Sequence, residues 1–185
     1  MSATQAASIL RPLTAYARVV HAGLTAAGAT EARAQRWLVA HSVAVLRIAT
    51  GAVFLAFGAL KLVPGLSPAQ DLVTRTTEIL TLGIVPAPTA LVLVATLECV
   101  IGLCLVSGRA GRLAVVLLAV QLVGILSPLV LLHDHLFAGP HGAPTLEGQY
   151  VLKDVIIVGA AFVIAAAFGG ARLSSHADGG EPPRS

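Results

Sequence analysis

Charged side chains are scarce in this chain of 185 residues, at 11% of the total against about 25% in typical soluble proteins. Aromatic residues are also few, at 4%, whereas hydrophobic residues make up 56%. The mean hydropathy is +0.87. So few charges over so much apolar surface exclude an ordinary soluble domain. The composition predicts an integral membrane protein.

The sequence also lacks most motifs that carry redox chemistry or nucleic-acid binding. It has two cysteines, Cys99 and Cys104, both within an apolar segment. Five residues apart on a helix, they point about 140° away from each other, so we interpret them as small apolar side chains rather than a disulfide. The formal charge is +3, but no cluster of basic residues with interleaved aromatics occurs. We therefore expect the lipid bilayer as a partner and no nucleic acid.

Four apolar segments are long enough to cross a bilayer as helices, which takes about 20 residues. They cover residues 42–63, 88–108, 112–132 and 148–171. Their apolar runs are continuous rather than alternating, which excludes the strands of a membrane β-barrel. The sequence thus predicts an all-α fold, an integral membrane four-helix bundle with short interfacial amphipathic helices.

Charges in the connecting segments predict the orientation of the chain in the membrane. Arg109 and Arg112 lie between the second and third segments with no acidic residue, and four arginines against one glutamate precede the first. The loop before the fourth segment instead holds Asp134 and Glu147 with no Lys or Arg. By the positive-inside rule, both termini of this multi-pass protein are expected in the cytoplasm.

Two further segments have an amphipathic pattern. Residues 1–41 form a predicted cytoplasmic amphipathic N-terminal segment, in which apolar side chains recur at helical spacing between residues 9 and 24. Residues 67–83 predict a short outer helix, with Ser67 as its cap, Gly83 as its stop, and one apolar face. That face holds Leu72, Val73, Ile79 and Leu80. Residues 172–185 are polar and rich in Gly and Pro, which predicts a disordered cytoplasmic tail.

Ionisable side chains inside the predicted spans mark the candidate sites. A charge at the bilayer centre costs about 2.5–3.5 kcal/mol on insertion scales, so it needs a partner or a function. Glu98 falls near the midplane, with Gln121 at a similar depth and Arg47 able to reach inward. We predict that these three form a polar midplane site, which is either a structural network or a proton or ligand site.

Closer to the outer ends of their spans lie Lys61, Lys153 and Asp154, which we predict as an outer rim. Lys153 and Asp154 are adjacent and point about 100° apart on a helix, so they do not chiefly pair with each other. We expect Lys61 to form an ion pair with Asp154, which would join the first helix to the fourth. Anchoring at the interface is the alternative role of these three residues.

The predicted outer loop is rich in histidine, with His133, His135 and His141. His133 and His135 are weak candidates for metal ligands, because their spacing fits no tight metal motif. We expect no metal site, and His141 is kept as a candidate contact of the outer loop.

Several stretches resemble DoxX-like membrane proteins. Residues 46–65, "LRIATGAVFLAFGALKLVPG", resemble the family's first helix, the Glu in "LECVIGLCLVSG" its mid-helix acid, and "GQYVLKDVIIVGAA" its fourth helix. "SPLVLL" and "HGAPTLEGQYVLKD" are closest to the YkgB/RclC-type branch. Arg47, Lys61, Glu98, Lys153 and Asp154 carry the family pattern, and His141 that of the branch. The resemblance implies a four-helix bundle in the bacterial inner membrane.

The resemblance also implies a function associated with redox chemistry. The wider superfamily includes a subunit of a thiosulfate:quinone oxidoreductase, and related members are associated with oxidative stress. We therefore expect a quinone-interacting subunit or a protein of oxidative-stress protection, with a quinone as candidate cofactor and a soluble redox enzyme as candidate partner. A small-solute or proton transporter and a membrane scaffold for soluble redox enzymes remain alternatives, and the chain is also a candidate homo-oligomer. Whether the protein is an enzyme stays open.

Overall fold

The computed structural model describes residues 3–172, and the side chains of residue 28 and of residues 30–172. Within that range the chain is helical and contains no β-strand. The helices are α1 (Ala3–Lys61), α2 (Gln70–Leu80), α3 (Ala87–Ser107), α4 (Gly111–Leu126), α5 (Pro128–Leu131), α6 (His133–Leu136) and α7 (Leu146–Phe168), with a 3-10 turn at Pro140–Gly142. The prediction of an all-α fold is confirmed.

Among the described residues, four helical stretches are long and apolar enough to cross a membrane. They are Thr30–Lys61, Ala87–Ser107, Gly111–Leu131 and Pro140–Phe168, and each overlaps one of the four predicted segments. Together they define an all-α membrane bundle. Residues 43–172 form one compact unit, which includes the last part of α1 and every later helix.

The predicted N-terminal segment of residues 1–41 does not end at a helix break, because α1 runs continuously from Ala3 to Lys61. The side chains of its predicted amphipathic face, between residues 9 and 24, lie outside the described side chains. Of the predicted tail, residues 173–185 lie outside the described residues as well.

Glycines bring α1 and α3 into direct backbone contact. A Cβ atom built on Gly102 would lie 2.6 Å from the carbonyl oxygen of Gly51 and 2.5 Å from the Cγ atom of Leu55. One built on Gly58 would lie 3.0 Å from the carbonyl oxygen of Ala95. Residues later in α1 therefore meet residues earlier in α3, so the two helices are antiparallel. Around this contact packs a core of Phe54, Ile101, Leu105, Ala114, Leu118 and Ile164.

Helix α2 packs on the bundle through a second, smaller cluster of Leu72, Leu136 and Val151. Its first residue is Gln70, and no side chain caps it. The prediction that Ser67 caps the helix is wrong, since the Ser67 hydroxyl is buried without a hydrogen-bond partner. The predicted stop is at the right place: Gly83 has φ +76° and its N–H donates to the carbonyl of Glu78 at 2.8 Å.

Candidate functional site: a buried polar cluster beside a cavity

Three buried polar side chains from three helices meet in the bundle. The Lys61 ammonium of α1 donates to Glu98 Oε2 of α3 at 2.7 Å. The Gln121 amide of α4 donates to Glu98 Oε1 at 3.0 Å. The three residues are 8%, 5% and 6% exposed, respectively. We call this set the Lys61–Glu98–Gln121 cluster.

Helix geometry explains why Lys61 reaches Glu98. Side chains tilt toward the N-terminus of their own helix, so in the antiparallel pair Lys61 and Glu98 tilt toward each other. Gly58 lies beside Ala95 and Cys99, at the level of Glu98. Lys61 follows about one turn beyond that level, and its long side chain covers the distance back to Glu98. Lys61, the last residue of α1, is therefore a member of the same cluster as Glu98.

The cluster satisfies the two oxygens of the buried Glu98 carboxylate. Removing two charges from water costs several kcal/mol per ion, and their attraction compensates only when the geometry is good and further hydrogen bonds are made. Glu98 meets this condition with one oxygen on Lys61 and the other on Gln121. Because each Glu98 oxygen has one of these partners, loss of Lys61 or Gln121 would leave a buried carboxylate oxygen without a hydrogen bond.

A cavity of about 200 Å³ lies beside the cluster and within the unit of residues 43–172. All four spanning segments and α2 contribute to its wall, which is largely apolar. Its polar groups include all three members of the cluster together with Thr76, Tyr150 and Asp154. The arrangement can hold a small, mainly apolar group and offer it charged hydrogen-bond donors and acceptors on one side.

The predicted ion pair between Lys61 and Asp154 is corrected by the structure. The Lys61 ammonium bonds to Glu98, and among the described residues no cation comes within ion-pair distance of Asp154. Asp154 and Lys61 nevertheless line the same cavity. The third member of the predicted rim, Lys153, is exposed, with its ammonium 5.4 Å from the centre of the Tyr150 ring. The two adjacent residues thus face different ways: Asp154 lines the cavity, and Lys153 is exposed on the surface.

Arg47 does not join the polar cluster with which it was predicted. Its guanidinium lies against Gly108, where a Cβ atom would be 1.8 Å from Nη1. Gly108 follows the last residue of α3 and has φ +67°. It is ten residues, or about 15 Å of helix, from Glu98. A cation at the C-terminus of a helix is favoured by the helix dipole, so the place of Arg47 in the structure has its own physical reason.

The histidines of the loop have separate partners. His135 Nε2 is 2.5 Å from Glu147 Oε2, and the His133 ring lies against Phe137 at 4.8 Å between centroids. His141 is exposed and has φ +57°, a left-handed conformation that non-glycine residues seldom adopt. Within residues 3–172, no three His, Cys, Asp or Glu side chains form a group that could hold a metal ion.

Thr76 was not among the predicted site residues. It is 5% exposed, lines the cavity, and its hydroxyl has no hydrogen-bond partner. The sequence carried a signal for it, because Thr76 follows Leu72 by four residues on the predicted inner face of α2. A polar residue at such a position is easily taken for part of the outer face.

The fold and the site define the class of protein: it is an all-α membrane bundle with a buried ion pair beside a cavity. The chain belongs to the DoxX family, whose model matches residues 42–134. That match extends from the spanning part of α1 to α6, and α7 lies beyond it. No curated protein and no solved structure matches the chain.

Proposed function

We propose that this DoxX-family membrane protein interacts with a quinone, whose head group occupies the cavity beside the Lys61–Glu98–Gln121 cluster. The observation that carries the proposal is the combination of a largely apolar cavity with a buried ion pair in its wall, in which both Glu98 oxygens accept hydrogen bonds. A quinone head group matches this combination, because its ring is apolar and its carbonyl oxygens accept hydrogen bonds.

The size of the cavity suits a head group better than a larger ligand. Pockets for drug-sized ligands measure about 300–1,000 Å³, whereas this cavity measures about 200 Å³. An isoprenoid tail needs no protein pocket when it can lie among lipid chains. The described exterior of the spanning helices is rich in exposed apolar side chains, for example Val92, Val120 and Ile156.

Each member of the cluster has a chemical role in this proposal. An ammonium has three N–H donors, and one of those of Lys61 is used by Glu98, so Lys61 can also donate to a quinone carbonyl. Glu98 would hold or release the proton that accompanies electron transfer. Gln121 would fix the Glu98 carboxylate in position through its amide.

The electrons in this proposal come from a partner. The sequence contains no CxxC motif, so we propose that a soluble redox enzyme docks on the bundle and exchanges electrons with the bound quinone. We further propose that the protein lies in the bacterial cytoplasmic membrane with both termini inside. The likeness of residues 148–161, "GQYVLKDVIIVGAA", to the fourth helix of DoxX-like proteins supports a role in oxidative-stress protection, with which related members of that superfamily are associated.

Lipid extraction tests the proposal directly. Protein purified in mild detergent should release quinone in near-stoichiometric amount, and Glu98→Gln should lower that amount at least tenfold. The matched control is Glu78→Gln, the same change at an exposed position of α2, which should retain the wild-type amount.

Folding of the variant must be separated from binding. Glu98→Gln leaves Lys61 without a counter-charge, so the charge-balanced double variant Lys61→Gln/Glu98→Gln serves as a second test. Both should elute as single species on size exclusion, and both should lose the quinone. Wild-type protein without quinone, or a well-folded Glu98→Gln that keeps it, would contradict the proposal.

A proton or small-cation transporter is the second candidate function. The observation that favours it is Asp154, a carboxylate that lines the cavity with no described cation within ion-pair distance. Proteoliposomes that contain only this protein and an internal pH dye should show flux if the protein is a transporter. The quinone-interacting function predicts no flux in the same vesicles.

A further inference from the structure

Two carboxylates of α7 line the cavity one above the other. Glu147 and Asp154 are seven residues apart, which is about two helical turns or 10 Å along the axis. Residues at this spacing lie on the same face of a helix, and both side chains border the same cavity. They therefore form an acidic row along one wall.

The row connects the interior of the bundle with its surface. At one end, Glu147 Oε2 is 2.5 Å from His135 Nε2, and the side chains of His135 and Glu147 are 43% and 30% exposed. At the other end, Asp154 shares the cavity with Lys61 and Glu98. Titratable groups thus occur at three levels. His135 and Glu147 are at the surface, Asp154 lines the cavity, and Glu98 belongs to the buried cluster.

The cavity also has a polar group that calls for a further hydrogen-bond partner. The Thr76 hydroxyl is buried and unpartnered, a state that costs about 1–3 kcal/mol unless a ligand or water satisfies it. Buried waters typically occupy sites with two to four polar partners. Thr76 and the two carboxylates supply such partners around the cavity.

We propose that Asp154, Glu147 and His135 form a proton path between the cavity and the aqueous surface beside α6. This inference rests on the proposed function, because the proton is the one that a quinol ring hydroxyl exchanges at the cavity. Glu98 takes that proton as the ring O–H bond breaks and passes it to Asp154, which lines the same cavity, and water in the cavity carries it on to Glu147. His135 Nε2 takes it from Glu147 and releases it to solvent.

The path is reversible, and electrons take no part in it. They pass separately to or from the partner redox enzyme. The titratable groups that face the cavity are Lys61 from α1, Glu98 from α3, and Glu147, Tyr150 and Asp154 from α7; none of the cavity residues of α2, α4 or α5 titrates. The short helix α6 adds His135 through its contact with Glu147.

The accessibility of an introduced thiol tests the path without reference to any quinone. In full-length protein with Cys99→Ala and Cys104→Ala, we would place Asp154→Cys in the membrane and apply a membrane-impermeant cationic methanethiosulfonate. The control is Ile156→Cys, on the same helix and 76% exposed on the outside of the bundle. The thiol at position 154 should react at least tenfold faster than that at 156.

The charge selectivity of the thiol reaction shows whether acidic side chains line the route, and not only whether the cavity is open to solvent. Because Glu147 would line the route, the cationic reagent should react faster than its anionic analogue, and Glu147→Gln should reduce that preference at least threefold. Glu78→Gln, a matched change outside the cavity, should leave it unchanged. If Asp154→Cys does not fold, Ile157→Cys, which also lines the cavity, replaces it.

Equal reaction rates at positions 154 and 156 would overturn the path, even if the extracts contain quinone. Fast and cation-selective reaction in a protein that carries no quinone would overturn the proposed function alone. The two failures are therefore distinguishable.

Discussion

The two halves of the bundle are built in opposite ways. In one half, Gly51 and Gly102 bring α1 and α3 into backbone contact, and Ile101 and Leu105 are fully buried. In the other half, α1 ends at Lys61 and all four spanning segments line a cavity. The first half has no room for a methyl group at its glycines, whereas the second leaves space beside an ion pair.

This difference shows how the bundle can hold a charged site. Small residues let transmembrane helices approach closely, so that packing stabilises the association. That close contact fixes the register of α1 against α3, and the register in turn brings Lys61 to Glu98. The close glycine contact in the first half thus positions the Lys61–Glu98 pair in the second half.

The largest effect is expected where a single change leaves a charge unpaired. Lys61→Met should lower the free energy of unfolding by about 3–5 kcal/mol, because Glu98 would stay buried without its counter-charge. Unfolding in mixed micelles, followed by circular dichroism, measures this. Lys153→Met removes an exposed lysine and should change stability by less than about 0.5 kcal/mol. Equal effects of the two changes would show that the Lys61–Glu98 pair does not support the fold.

A smaller effect is expected in the packed half. Gly102→Ala should lower the free energy of unfolding by about 1–3 kcal/mol, since the added methyl group would meet Gly51 and Leu55 and overpacking has this cost. Gly159 has nothing within 4 Å of a Cβ position, so Gly159→Ala should be neutral or slightly stabilising. The same unfolding assay compares them. A harmless Gly102→Ala would mean that α1 and α3 are not in close contact.

The smallest effect is expected at Arg47. Arg47→Met should cost about 0.3–1 kcal/mol, the usual value of a cation at a helix C-terminus, and should leave quinone content unchanged. Arg112→Met, at an exposed position near the start of α4, is the control and should not destabilise. Loss of quinone on Arg47→Met would show that Arg47 contributes to the polar site, and would contradict the distinction between the two halves.

Composition predicted the fold class because apolar runs of spanning length have few other uses. Glu98 could also be selected from the sequence, since a short carboxylate in the middle of an apolar helix needs a partner. Gln121 was grouped with it, and the two are hydrogen-bonded. Its cationic partner could not be selected, because depth counted along each helix assumes that neighbouring helices begin at the same level. The glycine contacts shift α1 against α3, which brings Lys61 to Glu98 and takes Arg47 to Gly108.

The sequence likewise did not show which of two adjacent charges faces inward. Lys153 and Asp154 differ by about 100° around α7, so one of them must point away from the other, but the choice depends on how α7 rotates against its neighbours. The structure places Asp154 at the cavity and Lys153 on the exterior. The unpartnered Thr76 hydroxyl depends in the same way on tertiary packing, since α2 must first cover the cavity.

Photolabelling with an azido-quinone, followed by peptide mapping, tests the central claim most directly. The account predicts that the label attaches to cavity residues such as Phe57, Thr76 and Tyr150, and that Glu98→Gln but not Glu78→Gln abolishes the attachment. Excess unlabelled quinone should compete with it. Label spread over the exterior of the bundle, or concentrated near Gly51 and Gly102, would contradict a quinone site at the Lys61–Glu98–Gln121 cluster.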